Sequence, residues 1–215
     1  MNAAAHNVTV HGAAYSVYVR IVRMALVEKG APYRLAEVDV FADGGPPAEH
    51  FTRHPFGRIP AFDHDGFRLY ETGAIVRYVD EAFDGAQLLP QDIFQRARCN
   101  QLVSIADNYA YPHLVWGLYV ESVSKPARGE APDKSKLATA LRQGRICLEA
   151  ISDLAGDGDW LTGDRLTLAD LYLAAMFGYF TKAARSAQML RRHPNLVTWW
   201  SRISERPSFK ATSAF

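Results

Sequence analysis

Strand-like and helix-like patterns alternate from residue 7 to about 83, and every strand signal disappears after Asp84-Gly85. Only the first part offers the short, turn-bounded, β-branched runs that a sheet needs, so the chain reads as an α/β unit followed by an all-helical one. Val8-Thr9-Val10 is such a run, stopped by Gly12. Ser16 opens a stretch with apolar residues at Tyr18, Val19, Ile21, Val22, Ala25 and Leu26, a helical spacing that Gly30 and Pro32 end. Residues 33–40 read as a second strand, and a Gly/Pro-rich loop at 43–47 leads to a short helical piece at 48–53. Ala61-Phe62 and Phe67–Tyr70 flank His64-Asp65-Gly66, a hairpin with Asp-Gly at its turn. Residues 71–83 are helical again, with Ile75, Tyr78, Val79 and Ala82 on one face. The order β-α-β-α-β-β-α implies a parallel first pair of strands and an antiparallel final hairpin.

From Pro90 onward the pattern is helical over about 92–124, 133–155, 168–186 and 194–204, with a short terminal piece. Gly- and Pro-containing breaks fall at 126–132 and at Gly156-Asp157-Gly158. Two domains are therefore expected, 1–84 and 90–215. A formal net charge of +1 gives no electrostatic footprint for nucleic acid or for an anionic membrane surface. The chain contains no apolar run long enough for a transmembrane helix, and residues 1–6 lack the basic and apolar regions of a secretory signal. Cys99 and Cys147 lie far apart and form neither a C-x-x-C nor a metal pattern. A reducing compartment is expected, and zinc or iron–sulfur chemistry is not.

Three features carry candidate chemistry. Ser16 stands where the first helix begins, as a favoured N-cap residue. The same place presents unpaired N–H groups and a partial positive charge, so a hydroxyl there can donate to a thiolate while the dipole lowers the thiol pKa. Ile59-Pro60 precedes a strand; the proline removes a ladder donor and leaves the neighbouring backbone open to a ligand, although most such bonds are trans turns. Glu71-Thr72 opens the third helical stretch, where acid and hydroxyl suit simple capping. They also suit an amino-acid head group, its carboxylate on the helix N-terminus and its ammonium on Glu71. Thr167-x-x-Asp170 is a capping box and is assigned to folding. Residues 109–119 are rich in aromatics around Pro112, which should kink the helix; most such stripes are core, and Trp199-Trp200 reads as packing.

The stretch from Ser16 to Gly30 resembles the first helix of soluble glutathione transferases. His54-Pro55-Phe56-Gly57-Arg58-Ile59-Pro60-Ala61-Phe62, running on through Leu69-Tyr70-Glu71-Thr72, resembles their glutathione-site segment. Leu161-Thr162-Gly163-Asp164 and Thr167-Leu168-Ala169-Asp170 resemble the helix-start motif of their second domain. The resemblance implies a thioredoxin-like N-terminal domain that binds glutathione and an all-α C-terminal domain that forms the electrophile pocket. It makes Ser16 the thiol-activating residue of a serine-type class. Ile59 becomes the residue whose backbone pairs with the cysteinyl part, and Pro60 the cis-proline after it. Glu71 and Thr72 match the pair that holds the γ-glutamyl end, with Arg58 and His54 as further glutathione contacts. Tyr109, His113 and Trp116 are expected around an apolar acceptor site.

The chain also departs from the pattern. Gly45 and Pro46 stand where a basic pair would hold the glycine carboxylate, His54 replaces the more usual asparagine, and Val17 a frequent proline. Tyr15 and Tyr18 flank Ser16 and are alternative thiol donors. The expected activity is transfer of glutathione to a hydrophobic electrophile, in detoxification, by a cytoplasmic homodimer with no metal and no nucleic-acid or membrane partner. The alternatives are a non-catalytic binding module, a thiol-disulfide reductase, or a glutathione-dependent isomerase, whose doubled serine is missing because Tyr15 precedes Ser16.

Overall fold

A computed structural model describes residues 7–213. The N-terminal hexapeptide, read above as no secretory signal, lies outside the described residues. The chain forms two compact units. One runs to Gln87 and takes in the segment from Pro207 onward; the other is Leu88–Arg206.

In the first unit β1 (Val8–His11), α1 (Val17–Glu28) and β2 (Arg34–Ala36) are followed by a 3-10 helix (Ala48–Thr52), β3 (Ala61–His64), β4 (Phe67–Tyr70) and α2 (Thr72–Ala82). The sheet order is β2-β1-β3-β4, with β1 and β2 parallel and the other pairs antiparallel. Alternation sorts the faces: Val8, Val10 and Phe62 are buried with Ile21, Met24 and Leu26 of α1 and Ile75 and Val79 of α2. The opposite face carries Thr9, His11 and Asp63, with His11 Nε2 3.1 Å from the Asp63 carboxylate. The hairpin turns on Asp65 (φ 50°) and Gly66 (φ 89°), both in the left-handed region that a two-residue turn of this hand needs. The second strand is shorter than the expected 33–40. Its partner β1 ends at His11, and Ala36 gives its carbonyl to Gly12, so no edge remains to pair with.

The last helix, α9 (Pro207–Ala211), packs on α1 and not, as its place in 90–215 suggested, with the helical domain. The cause is Arg20. This buried α1 residue donates to the Phe209 carbonyl at 2.8 Å and lies 3.9 Å over the Phe209 ring, so α9 satisfies a charge that α1 alone would strand.

The second unit holds α3 (Ile93–Ile105), a π-helix (Ala106–Ser124), α4 (Lys125–Ala127), α5 (Lys134–Leu154), α6 (Leu168–Phe180), α7 (Ser186–Leu190) and α8 (Pro194–Ile203). Pro112 lies inside the π-helix and does not end it, since the wider winding leaves room for a ring that has no N–H to donate. The helix expected over 168–186 stops at Phe180, and the chain turns before α7. Every residue of α6 is buried. At its start the Asp170 carboxylate accepts from Leu161 N, Thr167 N, Thr167 Oγ1 and Trp199 Nε1, all at 2.8–3.0 Å. Among the described residues no helix is long and apolar enough to cross a membrane.

Asp170 ties a loop, a cap and α8 to one buried group. Asp170→Ala strands several buried donors and is expected to cost at least about 3 kcal/mol in urea denaturation.

Candidate active site

Strand register decides where the candidate residues stand. His11 is opposite Ala61, and Ala61 is opposite Tyr70. Gly12 after β1, Pro60 before β3 and Glu71 after β4 therefore leave the sheet at one end. The starts of α1 and α2 flank the Ile59-Pro60 linkage there. Neighbouring strands lie about 4.8 Å apart, so three segments distant in sequence share one small area. Gly12 makes the approach possible: a Cβ on it would fall 2.4 Å from Val19 Cγ2 and 3.2 Å from Ile59 Cβ.

Ser16 is the N-cap of α1, and its Oγ accepts from Val19 N at 3.4 Å. Accepting leaves the hydroxyl proton free to be donated elsewhere, so capping and thiol binding are compatible in one side chain. The first turn of α1 holds no acidic residue of its own to neutralise its positive end. Tyr15 is committed elsewhere: its hydroxyl donates to the Asp39 carboxylate at 2.5 Å and its ring stacks on Phe41. Burial, with Asp39 second, pushes its pKa up. Tyr18, two residues into the helix, does not share the face of Ser16.

The Ile59-Pro60 bond is cis. Ladder pairing begins only at Ala61, so the backbone at Ile59 has no strand partner. Arg58 is exposed beside it. Glu71 caps α2 with φ 71° and ψ 114°, a left-handed setting for a residue with a side chain, and makes no capping bond with its carboxylate. The amides of Thr72 and Gly73 have no protein acceptor among the described residues. An exposed carboxylate next to two open amides suits a zwitterionic head group.

His54 stands differently from expectation. It is 2% exposed, its ring 4.9 Å from that of Tyr70 and 6.1 Å from that of Phe56. Burial lowers its pKa, which favours the neutral ring, so it brings neither a surface contact nor a charge to a glycine carboxylate. Of the residues expected at that end, Arg58 alone offers a cation, since Gly45 and Pro46 have none. His50, which the sequence reading passed over, is buried and contacts the Arg58 carbonyl at 2.7 Å. Its only signal in the sequence is a histidine within the short helical piece at 48–53.

In the second unit His113 and Trp116 line a cavity of about 400 Å³ together with Pro112, Glu121, Lys136 and Thr139. Tyr109 is 56% exposed and does not line it. Burial lowers the His113 pKa. Glu121, also missed, is buried and held anionic by Lys125, with Asp133 N as a further donor.

A thioredoxin-like sheet with a cis-proline at its ligand end, joined to a helical unit, defines a class of glutathione-binding proteins. The family models for the glutathione S-transferase N-terminal and C-terminal domains match residues 10–87 and 113–207. Glutathione S-transferase F12 of Arabidopsis thaliana is 28% identical over 191 residues, covering 88% of this chain and 89% of that one. Maleylacetoacetate isomerase of Rhizobium meliloti is 33% identical over 152 residues, 71% of each chain. Glutathione S-transferase I from mais, solved with an atrazine glutathione conjugate, superposes with a TM-score of 0.84 at 25% identity, covering 97% of each chain. The chain belongs to the glutathione S-transferase family, and the transferase reading of its sequence stands with that membership.

An acidic residue with a positive φ at a candidate site has a measurable signature. Glu71→Gly is expected to raise stability by about 1 kcal/mol in thermal melts, relief of the backbone outweighing the added freedom of the unfolded chain. The same change should weaken glutathione binding roughly tenfold by calorimetry, since a hydrogen bond to a charged group is lost.

Proposed function

We propose that the chain activates the thiol of glutathione for attack on a hydrophobic electrophile. The observation that carries this reading is the convergence of the Ser16 helix start, the unpaired Ile59 backbone and the Glu71 helix start at one end of the sheet. Ser16 donates its hydroxyl proton to the sulfur, and the N-terminus of α1 favours the thiolate. The Ile59 backbone, just before Pro60, receives the cysteinyl unit. Glu71 takes the γ-glutamyl ammonium, while the Thr72 hydroxyl and the Thr72 and Gly73 amides take its carboxylate. Arg58 faces the glycine carboxylate. The sulfur then forms a bond to the electrophilic carbon, the leaving group departs with its electron pair, and the thiol proton goes to solvent.

His113 and Trp116, with the cavity they line, are the proposed acceptor wall, and Tyr109 its exposed margin. A homodimer follows the resemblance; Phe56 and Phe94, 70% and 79% exposed, are apolar surface that a second copy would cover. Buried Cys99 and Cys147, in no disulfide among the described residues, accord with a cytoplasmic setting and detoxification of apolar compounds. The likeness to the isomerase supports a second reading, reversible addition of the same thiolate to a carbon–carbon double bond, with Tyr15 where that relative's first serine is expected.

Glutathione should bind in calorimetry and support conjugation of a chromogenic aryl halide. Binding with no turnover on that halide or on a cis-enone would instead mark a binding module. Ser16→Ala is expected to lower kcat on the order of 10–100-fold with little change in glutathione affinity, because the lost hydrogen bond is to a charged group. Unchanged turnover would overturn the donor role of Ser16.

A further inference from the structure

The 3-10 helix between β2 and β3 carries a buried contact that none of the expected roles uses. His50 is 1% exposed, and its Nε2 lies 2.7 Å from the carbonyl oxygen of Arg58, eight residues further on. A carbonyl only accepts, so Nε2 carries the proton and the imidazole is the donor. Its other nitrogen, Nδ1, is buried and has no partner among the described residues, where the only hydrogen bond this ring makes goes to that carbonyl. The segment it holds has few other restraints. His54 N bonds back to His50 O, and Gly57 N to His54 O, after which no strand pairing begins until Ala61. The neighbouring Phe51 closes the same loop from outside: a Cβ on Gly57 would lie 2.8 Å from its ring, and Gly57 takes φ 61° to fit. Between these contacts and the sheet stand Arg58, Ile59 and Pro60.

Resting on the glutathione reading of this site, we propose that His50 is a positioning residue for it. By fixing the Arg58 carbonyl it sets the orientation of the next peptide unit, and so of the Ile59 backbone that pairs with the cysteinyl unit. Two consequences distinguish this role from simple core filling. First, the effect belongs to donor chemistry and reach. The amide nitrogen of glutamine extends to about where Nε2 stands, and that of asparagine only to about where Nδ1 stands. Second, the Ile59 contact is made equally by bound glutathione and by the transition state, while Ser16 acts on the sulfur. Losing His50 therefore weakens glutathione binding and spares the chemical step.

The experiment compares His50→Leu, His50→Gln and His50→Asn in the full chain. Glutathione affinity is read by calorimetry, kcat at saturating glutathione with an aryl halide, and folding by circular dichroism and thermal melts. His50→Leu and His50→Asn are expected to raise the glutathione Kd about tenfold, the effect of losing the one hydrogen bond that orients this peptide unit, with kcat held within about threefold. His50→Gln is expected to restore Kd to within about threefold of the unmodified protein, since a neutral donor is supplied again. If the leucine variant does not fold, the glutamine and asparagine variants alone decide. Equal Kd values for those two, or a loss confined to kcat, overturn the assignment. Failure of the unmodified protein to bind glutathione overturns the underlying reading as well, whereas tight binding by all the variants overturns only the role of His50.

Discussion

Three hydrogen-bonded strands finish level at His11, Ala61 and Tyr70, and the candidate chemistry stands just beyond that end. A slip of one residue in either ladder would turn Val10 and Phe62 away from the core, so burial of these side chains also fixes the site. Hydrophobic packing and ligand geometry are thus coupled through register. Gly12 belongs to the same constraint, because a larger residue would hold Ile59 off α1.

What gathers there is electrostatically consistent. Two helix starts point their amides at one region, and neither helix has an acidic residue inside its first turn. An anionic sulfur and an anionic carboxylate are both favoured in such a field, and the Glu71 carboxylate is placed for a cation. The backbone of Glu71 lies where side chains are disfavoured, and its carboxylate makes no capping bond. A residue kept under those terms fits selection for binding better than selection for stability. Tyr15, the nearest competitor of Ser16, has its proton engaged by Asp39.

Much of this was legible because the chemistry is local. An Asp-Gly pair between apolar runs names its own turn, and a serine before an apolar helical repeat names its own cap. Thr167 and Asp170 announced a capping box, and the structure has both of its bonds. These misses share one cause, a partner that only the folded chain brings into contact. The second strand ends where β1 ends, which its own residues 37–40 do not reveal. The final helix joins the first unit because Arg20 needs the Phe209 carbonyl. His54 reads as a polar ligand residue until Phe56 and Tyr70 close around it, and His50 acquires a role only when the chain returns eight residues later.

The central claim is that the protein stabilises a thiolate at the Ser16 end of α1. The direct measurement is a pH titration of the ultraviolet thiolate absorbance of glutathione bound to the unmodified protein. The account predicts ionisation well below the value of ~8.5 of a free thiol. A bound thiol that ionises at the same pH as free glutathione would contradict it.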